Sequence, residues 1–296
     1  MTFFVLLLAY FVRRRLDSAN RFDGDVLWQR YFQFAKPPPA GKESRIWPGA
    51  LMVVVPALGL LLINHQLRES SWLLLIHFLD LLLLVLLLGS VGWRDRLTAY
   101  SEAWRRGDMQ AAWHHVKDGL PGAQSGSANA PETLHLAVCA RFMQVTFERY
   151  FLIIFWYVVG GIGVALLVRG VLALRDHWPQ AAARKGFVTA ADALSWLPVR
   201  VLSLSFGLAG DLAGWLRDGW VGVVSGSFRP QAVLMNAADA SLTGYALEPN
   251  RFASLHPNDW TDYADRSLTA VRNLLNRSLF IWIGLLALLV IAGILA

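Results

Sequence analysis

Residues 147–170, FERYFLIIFWYVVGGIGVALLVRG, place a glutamate and an arginine directly before a long apolar run. Arg141 lies seven residues before Glu148 and eight before Arg149, so a helix would carry the three side chains on similar faces. Arginine donates paired hydrogen bonds to phosphate or carboxylate, and these residues therefore predict a binding site for a small anionic ligand. Arg200, in the sequence WLPVR, is a fourth candidate contact. Charges that snorkel to anchor the end of a membrane helix would show the same pattern.

A histidine and an aspartate interrupt the most apolar part of the chain. His77 and Asp80 are three residues apart in LLLIHFLDLLLL, so they share one face of a helix. Ionisable groups at membrane depth are costly, and they mark either a proton site or a hydrogen bond between helices. The pair predicts one of these roles, and a bond from Asp80 to a neighbouring group is the simpler one.

Three glycines break the apolar run that follows Arg149. Gly160, Gly161 and Gly163 match no phosphate-binding loop, because no strand precedes them and no Gly-Lys-Ser/Thr follows. Glycine lets a second backbone approach closely, so these positions predict close helix packing or a helix break inside the bilayer. A re-entrant helix near 160–163 is one form that such a break takes.

The other polar residues form no recognisable catalytic or metal-binding arrangement. His114 and His115 are adjacent, so they point in different directions on a helix, unlike a metal-binding pair. No serine–histidine–aspartate set, activated thiol or paired-carboxylate motif stands out. We therefore expect no catalytic residue, no metal and no cofactor.

Composition indicates the solvent around these residues. Hydrophobic residues make up 55% of the chain and charged residues 16%, and the mean hydropathy is +0.42. Soluble domains contain about 45–50% apolar and about 25% charged residues, so a bilayer is the expected environment. The net charge of +6 is modest and fits basic cytoplasmic loops better than nucleic-acid binding.

Several stretches approach the ~20 apolar residues that a membrane helix needs. They lie at 48–63, 73–91, 151–168 and 278–296, and the shorter stretch 1–12 either crosses with help from its neighbours or lies in the interface. The chain is thus predicted to be an all-α polytopic membrane protein with about four to five membrane segments and helical polar regions.

The predicted organisation follows from these stretches. The membrane side of 169–277 stays open, because its basic residues conflict with the positive-inside tendency if 151–168 crosses outward. The segments are an apolar helix with a basic amphipathic segment (1–47), a transmembrane hairpin (48–93), a cytoplasmic helical region with a Gly/Pro/Ser loop at 121–132 (94–149), membrane-associated helices (150–216), a polar helical region (217–277) and a C-terminal transmembrane helix (278–296).

The pattern of the whole chain resembles the AmpE family of bacterial inner-membrane proteins, within a wider group that includes the cobalamin-pathway enzyme CobD/CbiB. The pieces that carry this resemblance are WQRYFQFAK, AYSEAWRRGDMQAAWHHV, FERYFLIIFWYVVGGIGVALLVRGVLAL and DALSWLPVRVLSL, together with the apolar hairpin and the apolar C-terminal stretch. Among them, FWYVVGG and WLPVR are the most specific.

The two relatives imply different functions. CobD/CbiB forms an amide in cobalamin synthesis and carries an acidic Glu-Asn-Thr-x-Asp-Gly pattern preceded by Ser-Arg-Asp. Here QVTFER (144–149) retains Thr146 and has Glu148 at the Asp, but Gln144, Val145 and Arg149 replace the other residues. The resemblance to CobD/CbiB therefore implies an enzyme site that has largely been lost.

AmpE resemblance implies a non-enzymatic regulator or sensor of the inner membrane, linked to cell-wall-fragment signalling and β-lactamase induction. The expected partners are the lipid bilayer, a small anionic ligand such as a muropeptide or a phosphate-containing molecule, and a signalling protein, with no nucleic acid. A CobD/CbiB-like amide synthase and a transporter remain alternatives, the second because of His77, Asp80 and the broken helices.

Overall fold

The computed structural model describes residues 2–18, 24–34, 46–69, 73–89, 92–120, 130–224 and 229–293, and its regular structure there is helical, without strands. The first helices are α1 (Thr2–Ser18), α2 (Gly24–Gln33), α3 (Trp47–Glu69), α4 (Leu73–Leu87), α5 (Trp93–Arg105), α6 (Met109–Val116) and α7 (Pro131–Thr146). The others are α8 (Leu152–His177), α9 (Ala181–Ala209), α10 (Leu212–Gly214), α11 (Trp220–Val224), α12 (Pro230–Ser241), α13 (Pro249–Leu255) and α14 (Tyr263–Ile291). Most of the loop predicted at 121–132 lies outside the described residues.

Within the described ranges, four helical segments are long and apolar enough to cross a membrane. They are Trp47–Leu67, Pro131–His177, Ala181–Ala209 and Pro257–Ile291. The predicted polytopic helical membrane protein is therefore confirmed. The apolar helix α4 has 15 residues, where the sequence predicted a segment over 73–91. At ~1.5 Å per residue, α4 is shorter than a ~30 Å hydrocarbon core.

The chain divides into two compact units, of which the first comprises Met1–Val91, Glu148–Pro198 and Leu289–Ala296. In this unit α3 and α2 pack against α8, and α1 packs against α4. A hydrophobic core joins three of these helices to the start of α9. Its buried members are Phe32, Val53, Ala173, Leu174, Trp178, Ala183 and Phe187.

The glycines at 160, 161 and 163 of α8 have different structural roles. Gly161 has φ +74° and ψ −173°, which breaks the helix there, and this confirms the glycine-broken helix predicted near 160–163. Gly163 instead faces α3, because a Cβ at this position would lie 2.4 Å from Leu61 Cγ. A Cβ on Gly160 would collide with Val164 of its own helix, at 2.5 Å from Cγ2.

The second unit comprises Gly92–Phe147 and Val199–Leu288. Its helices α5 and α6 pack against each other on either side of a turn at Gly107, which has φ +75°. Asp108 caps α6 by accepting a hydrogen bond from the backbone of Ala111.

A buried cluster of neutral side chains fills the core of this second unit. The Tyr100 hydroxyl lies 3.1 Å from Nδ1 of His135, and Cys139 Sγ lies 3.4 Å from Nε2 of the same ring. Ser267 donates to the carbonyl of Ala246. We call these residues the His135 cluster: Tyr100, Trp104, His135, Cys139, Tyr263 and Ser267, all at most 1% exposed.

Candidate functional site

The junction between α7 and α8 carries two of the predicted site residues, Glu148 and Arg149. Here the helix widens into a π-helix over Phe147–Phe151. A π-helix inserts an additional residue into the helical ladder, costs some hydrogen-bond geometry and is common at functional sites. The backbone carbonyl of Arg149 also accepts a bond from Gly89 at the end of α4, so two parts of the first unit meet at this segment.

Asp25, the second residue of α2, accepts hydrogen bonds from two arginines. Arg149 binds it with Nη1 at 2.8 Å from Oδ1 and Nη2 at 2.5 Å from Oδ2. Arg169 Nη2 also donates to Oδ1, and His177 Nε2 lies 3.7 Å from that oxygen. Burial alone would raise the pKa of Asp25, but the neighbouring His177 and Arg149 lower it below its ordinary value. Asp25 is therefore an ionised carboxylate shared by several basic groups.

Glu148 makes a second ion pair in the same unit. Arg175 binds its carboxylate with Nη1 at 2.6 Å and Nη2 at 2.8 Å, a bidentate geometry. Arg175 also bonds Asp176 through Nε at 2.8 Å. One guanidinium is thus held between two carboxylates, and Glu148 is 5% exposed.

A third group of polar contacts in the first unit is centred on Arg13 of α1. It is 1% exposed, bonds Asp17 at 2.9 Å and donates to the carbonyl of Val85 at 3.2 Å. Tyr150 of the π-helix donates to Asp17 as well. Gly89 makes room for this guanidinium, since a Cβ there would lie 1.8 Å from Arg13 Nε.

One donor beside Asp25 lacks a partner among the described residues. Arg169 Nη1 is buried there without a hydrogen bond, although Nη2 of the same guanidinium binds Asp25. An unpaired buried donor is costly, and an anion is a group that would satisfy it. We call the following ten residues the Asp25 network: Arg13, Asp17, Asp25, Glu148, Arg149, Tyr150, Arg169, Arg175, Asp176 and His177.

The other two predicted arginines are placed in the second unit. Arg141 Nε donates to the carbonyl of Gly119 at 3.1 Å, and Arg200 Nε donates to the carbonyl of Val223 at 2.8 Å. Each of these two bonds goes to a backbone carbonyl. The structure therefore places Glu148 and Arg149 in the Asp25 network, whereas Arg141 and Arg200 bind backbone carbonyls of the second unit.

The pair predicted on α4 separates into two environments. Asp80 is buried and accepts from Asn64 of α3 at 3.3 Å and from Tyr157 of α8 at 3.4 Å. His77 Nδ1 is buried and has no hydrogen-bond partner within the described part of the chain. Asp80 therefore bonds two neighbouring helices, the simpler of its two predicted roles.

Sequence reasoning missed the residues that organise the site. Asp25 carries the only carboxylate in α2 and stands at the first turn of that helix, a position that attracts acidic residues for capping reasons alone. Arg169 and Arg175 are six residues apart in α8, so no helical spacing links them. Arg169 and Arg175 share one feature that the sequence does show: each is an arginine in a largely apolar helix, and such a residue indicates a buried polar partner or a functional site.

Comparisons with known proteins give one match. A family model described as "Regulatory signalling modulator protein AmpE" matches residues 1–247, which include the whole Asp25 network. No curated protein and no solved structure matches the chain. The match agrees with the resemblance predicted from the sequence.

Proposed function

Because the chain belongs to the AmpE family of regulatory signalling modulators, we propose that it senses an anionic ligand at the Asp25 network and passes this signal to a protein partner. In this proposal the protein resides in the bacterial inner membrane. Its ligand is a muropeptide released from the cell wall, and its output is control of β-lactamase induction. The role is regulatory and involves no bond-making step.

The observation that carries the proposal is the imbalance around Asp25. One carboxylate faces the guanidinium groups of Arg149 and Arg169 and the imidazole of His177. Arg169 is 2% exposed, and its Nη1 has no hydrogen-bond partner among the described residues. Arg169 and Arg149 share the one carboxylate of Asp25, and a second carboxylate or a phosphate would give the buried guanidinium a further acceptor. The side chains of a muropeptide peptide stem offer such carboxylates.

The network is also partly accessible. The side chains of Arg149, His177 and Asp25 are 14%, 19% and 24% exposed, whereas that of Arg169 is 2% exposed. In this proposal a ligand enters past the exposed members and its charged group reaches the buried arginine. Guanidinium forks favour planar or tetrahedral oxyanions in such a position.

A binding experiment tests this proposal. We would measure thermal unfolding of the purified protein in detergent while a muropeptide is titrated, because a ligand at 100 times its Kd stabilises by about 2.7 kcal/mol. Arg169→Gln should abolish the stabilisation. Arg149→Gln, at the accessible edge, should weaken binding as well and guards against misfolding of the first variant. Arg141→Gln is the matched control, since this arginine binds a carbonyl in the other unit.

A cellular readout tests the signalling part. Arg149→Gln should change induction of a β-lactamase reporter at unchanged membrane levels, whereas Arg141→Gln should leave it as in the wild type. Equal muropeptide binding by the wild type, Arg149→Gln and Arg141→Gln would contradict the proposed ligand site. Normal binding with unchanged induction would contradict the proposed output instead.

A further inference from the structure

The second unit contains a cavity outside the Asp25 network. It has a volume of about 420 Å³ and lies where the end of α9, the end of α12 and the middle of α14 meet. Ala270, Asn273, Leu274 and Arg277 line it from α14 at intervals of three, one and three residues, so one face of this helix forms a wall.

The lining of this cavity carries one charge of each sign. Among the described residues, Arg277 makes one long bond, 3.4 Å from Nη1 to the carbonyl of Ala209, which leaves its other N–H groups to a ligand. Asp211, also in the lining, accepts two backbone bonds at its Oδ1, from Ala213 and Gly214. Neither of these two bonds uses its Oδ2. The cavity thus offers a guanidinium and a carboxylate to the same occupant.

The cavity lies at the polar limit of two membrane-capable helices. Ala209 is the last residue of the segment Ala181–Ala209, and Arg277 is the last charged residue of α14 before its apolar part begins at Ser278. The bond between Arg277 and Ala209 brings these two limits together. Polar groups at such a limit face the headgroup region of a bilayer.

Apolar side chains continue from the cavity along the same helices. Leu208 is 53% exposed and Phe280, one turn after Arg277, is 67% exposed. At Gly284, two turns after Arg277, a Cβ would meet nothing within 4 Å. A hydrocarbon chain attached to a bound headgroup would therefore find an open, apolar path.

We propose that this cavity binds the headgroup of a zwitterionic phospholipid of the phosphoethanolamine type. Arg277 and Asn273 hold the phosphate, and Asp211 pairs with the ammonium group. An anionic headgroup such as phosphoglycerol would bring no cation to Asp211 and would meet its negative charge instead. The site is thus selective for a headgroup that carries both charges.

Native mass spectrometry of the detergent-solubilised full chain tests the proposal. We would add dioleoyl phosphatidylethanolamine or dioleoyl phosphatidylglycerol and determine the apparent Kd for each. The wild type should bind the first lipid more tightly. Arg277→Gln should weaken binding of both lipids at least about tenfold, because it removes charge-assisted bonds to phosphate. Arg277→Lys keeps the positive charge, so its apparent Kd for each lipid should lie between those of the wild type and Arg277→Gln.

Asp211→Asn tests the selectivity. Asparagine caps a helix as well as aspartate does, so α10 should be retained while the carboxylate charge is lost. The preference for phosphatidylethanolamine over phosphatidylglycerol should then disappear. The matched control is Arg272→Gln, an exposed arginine of α14 outside the cavity lining, which should leave both dissociation constants unchanged.

Two results would overturn the proposal. An equal loss of binding in Arg272→Gln and Arg277→Gln would mean that lipid responds only to the overall charge of the helix. Equally tight binding of glycerophosphoethanolamine, which has the headgroup but no acyl chains, would mean that the cavity takes a soluble ligand. Unfolding temperatures that match the wild type show that each variant is folded.

Discussion

The Asp25 network and the His135 cluster are both buried, but they bury different kinds of polar group. In the network, Arg169 and Asp25 are formally charged, and one buried nitrogen of Arg169 has no partner among the described residues. In the cluster, the groups around His135 are neutral, with Tyr100 and Cys139 matched to its two ring nitrogens. The Asp25 network thus contains a buried donor without a partner in the described residues, whereas both ring nitrogens of His135 have a partner.

This difference separates a structural core from a binding site. Neutral groups that satisfy each other stabilise a unique arrangement at little desolvation cost. Buried ion pairs are weak sources of stability compared with apolar packing, so a charged network that is incompletely paired is retained for another reason. We attribute that reason to the anionic ligand proposed above, and variants of each region can break or sharpen the contrast.

The largest effect is expected from Asp25→Asn. It removes the carboxylate from two guanidinium groups and should lower the free energy of unfolding by about 3 kcal/mol or more, because buried cations are then left uncompensated. Chemical unfolding in detergent measures this change. Added sulfate should restore part of the loss, since a tetrahedral anion can pair with the guanidinium groups that have lost their carboxylate.

The control for this variant is Asp259→Asn, which breaks an exposed ion pair with Arg266. Exposed pairs contribute about 0–1 kcal/mol, so this change should be small. Comparable losses for the two aspartates would show that the Asp25 network is no more than a surface ion-pair system. Absence of a sulfate effect would weaken the assignment of an anion site.

The second largest effect is expected from Gly89→Ala. The residue has φ +105°, and its new Cβ would overlap the buried guanidinium of Arg13. We expect a loss of about 2 kcal/mol from backbone strain and the displaced arginine. Gly284→Ala is the matched control, because α14 has open space there, and alanine in a helix should be neutral or stabilising by up to about 1 kcal/mol. Similar values for both variants would argue against a tightly held Arg13.

The sequence predicts much of this fold because its signals are local. An apolar run long enough for a membrane and a glycine group at 160–163 can each be read within some 20 residues. The positive φ of Gly161 follows directly from glycine's conformational freedom. The short length of α4 could not be predicted, because its apolar run continues to Leu88 and a bend at Gly89 ends it.

The candidate site was predictable only in part. Glu148 and Arg149 stand out because they interrupt the boundary of an apolar run. Their partners Arg175 and Asp25 lie 27 and 124 residues away along the chain, and no periodicity relates such positions. Arg141 was grouped with them by helical spacing alone, which assumes an unbroken helix, and the π-helix after Thr146 changes that register.

A smaller effect is expected in the His135 cluster. Tyr100→Phe removes the hydroxyl that lies 3.1 Å from His135 Nδ1, and the loss of one neutral hydrogen bond should cost about 1 kcal/mol. Tyr31→Phe is the control, because its hydroxyl bonds Met52 at the exposed surface and should matter less. Unlike Asp25→Asn, neither tyrosine variant should respond to sulfate. A sulfate response would show that the neutral cluster also has an anion-binding role.

The smallest effects, and the most direct contrast, concern pH. The pKa of Asp25 is lowered by its basic neighbours, so its stabilisation is present above the ordinary value of 3.8 and is lost as pH falls through the lowered value. Burial raises the pKa of Tyr100 well above its ordinary value of 10.0. Its stabilisation is therefore present below about pH 10 and is lost as pH rises towards the raised value. The Asp25 network should therefore lose its stabilising contribution in acid, and Tyr100 of the His135 cluster should lose its contribution in alkali.

Unfolding temperatures of the wild type, Asp25→Asn and Tyr100→Phe over a pH series test this pattern. The difference between the wild type and Asp25→Asn should shrink below about pH 4, because protonation gives the wild type the same neutral side chain. The deficit of Tyr100→Phe should be constant through neutral pH and shrink only above about pH 10, where the tyrosine of the unfolded wild-type chain ionises while the buried side chain is still neutral. A pH-independent deficit for Asp25→Asn would mean that its carboxylate acts through shape rather than charge, and the contrast between the two regions would then have to rest on packing.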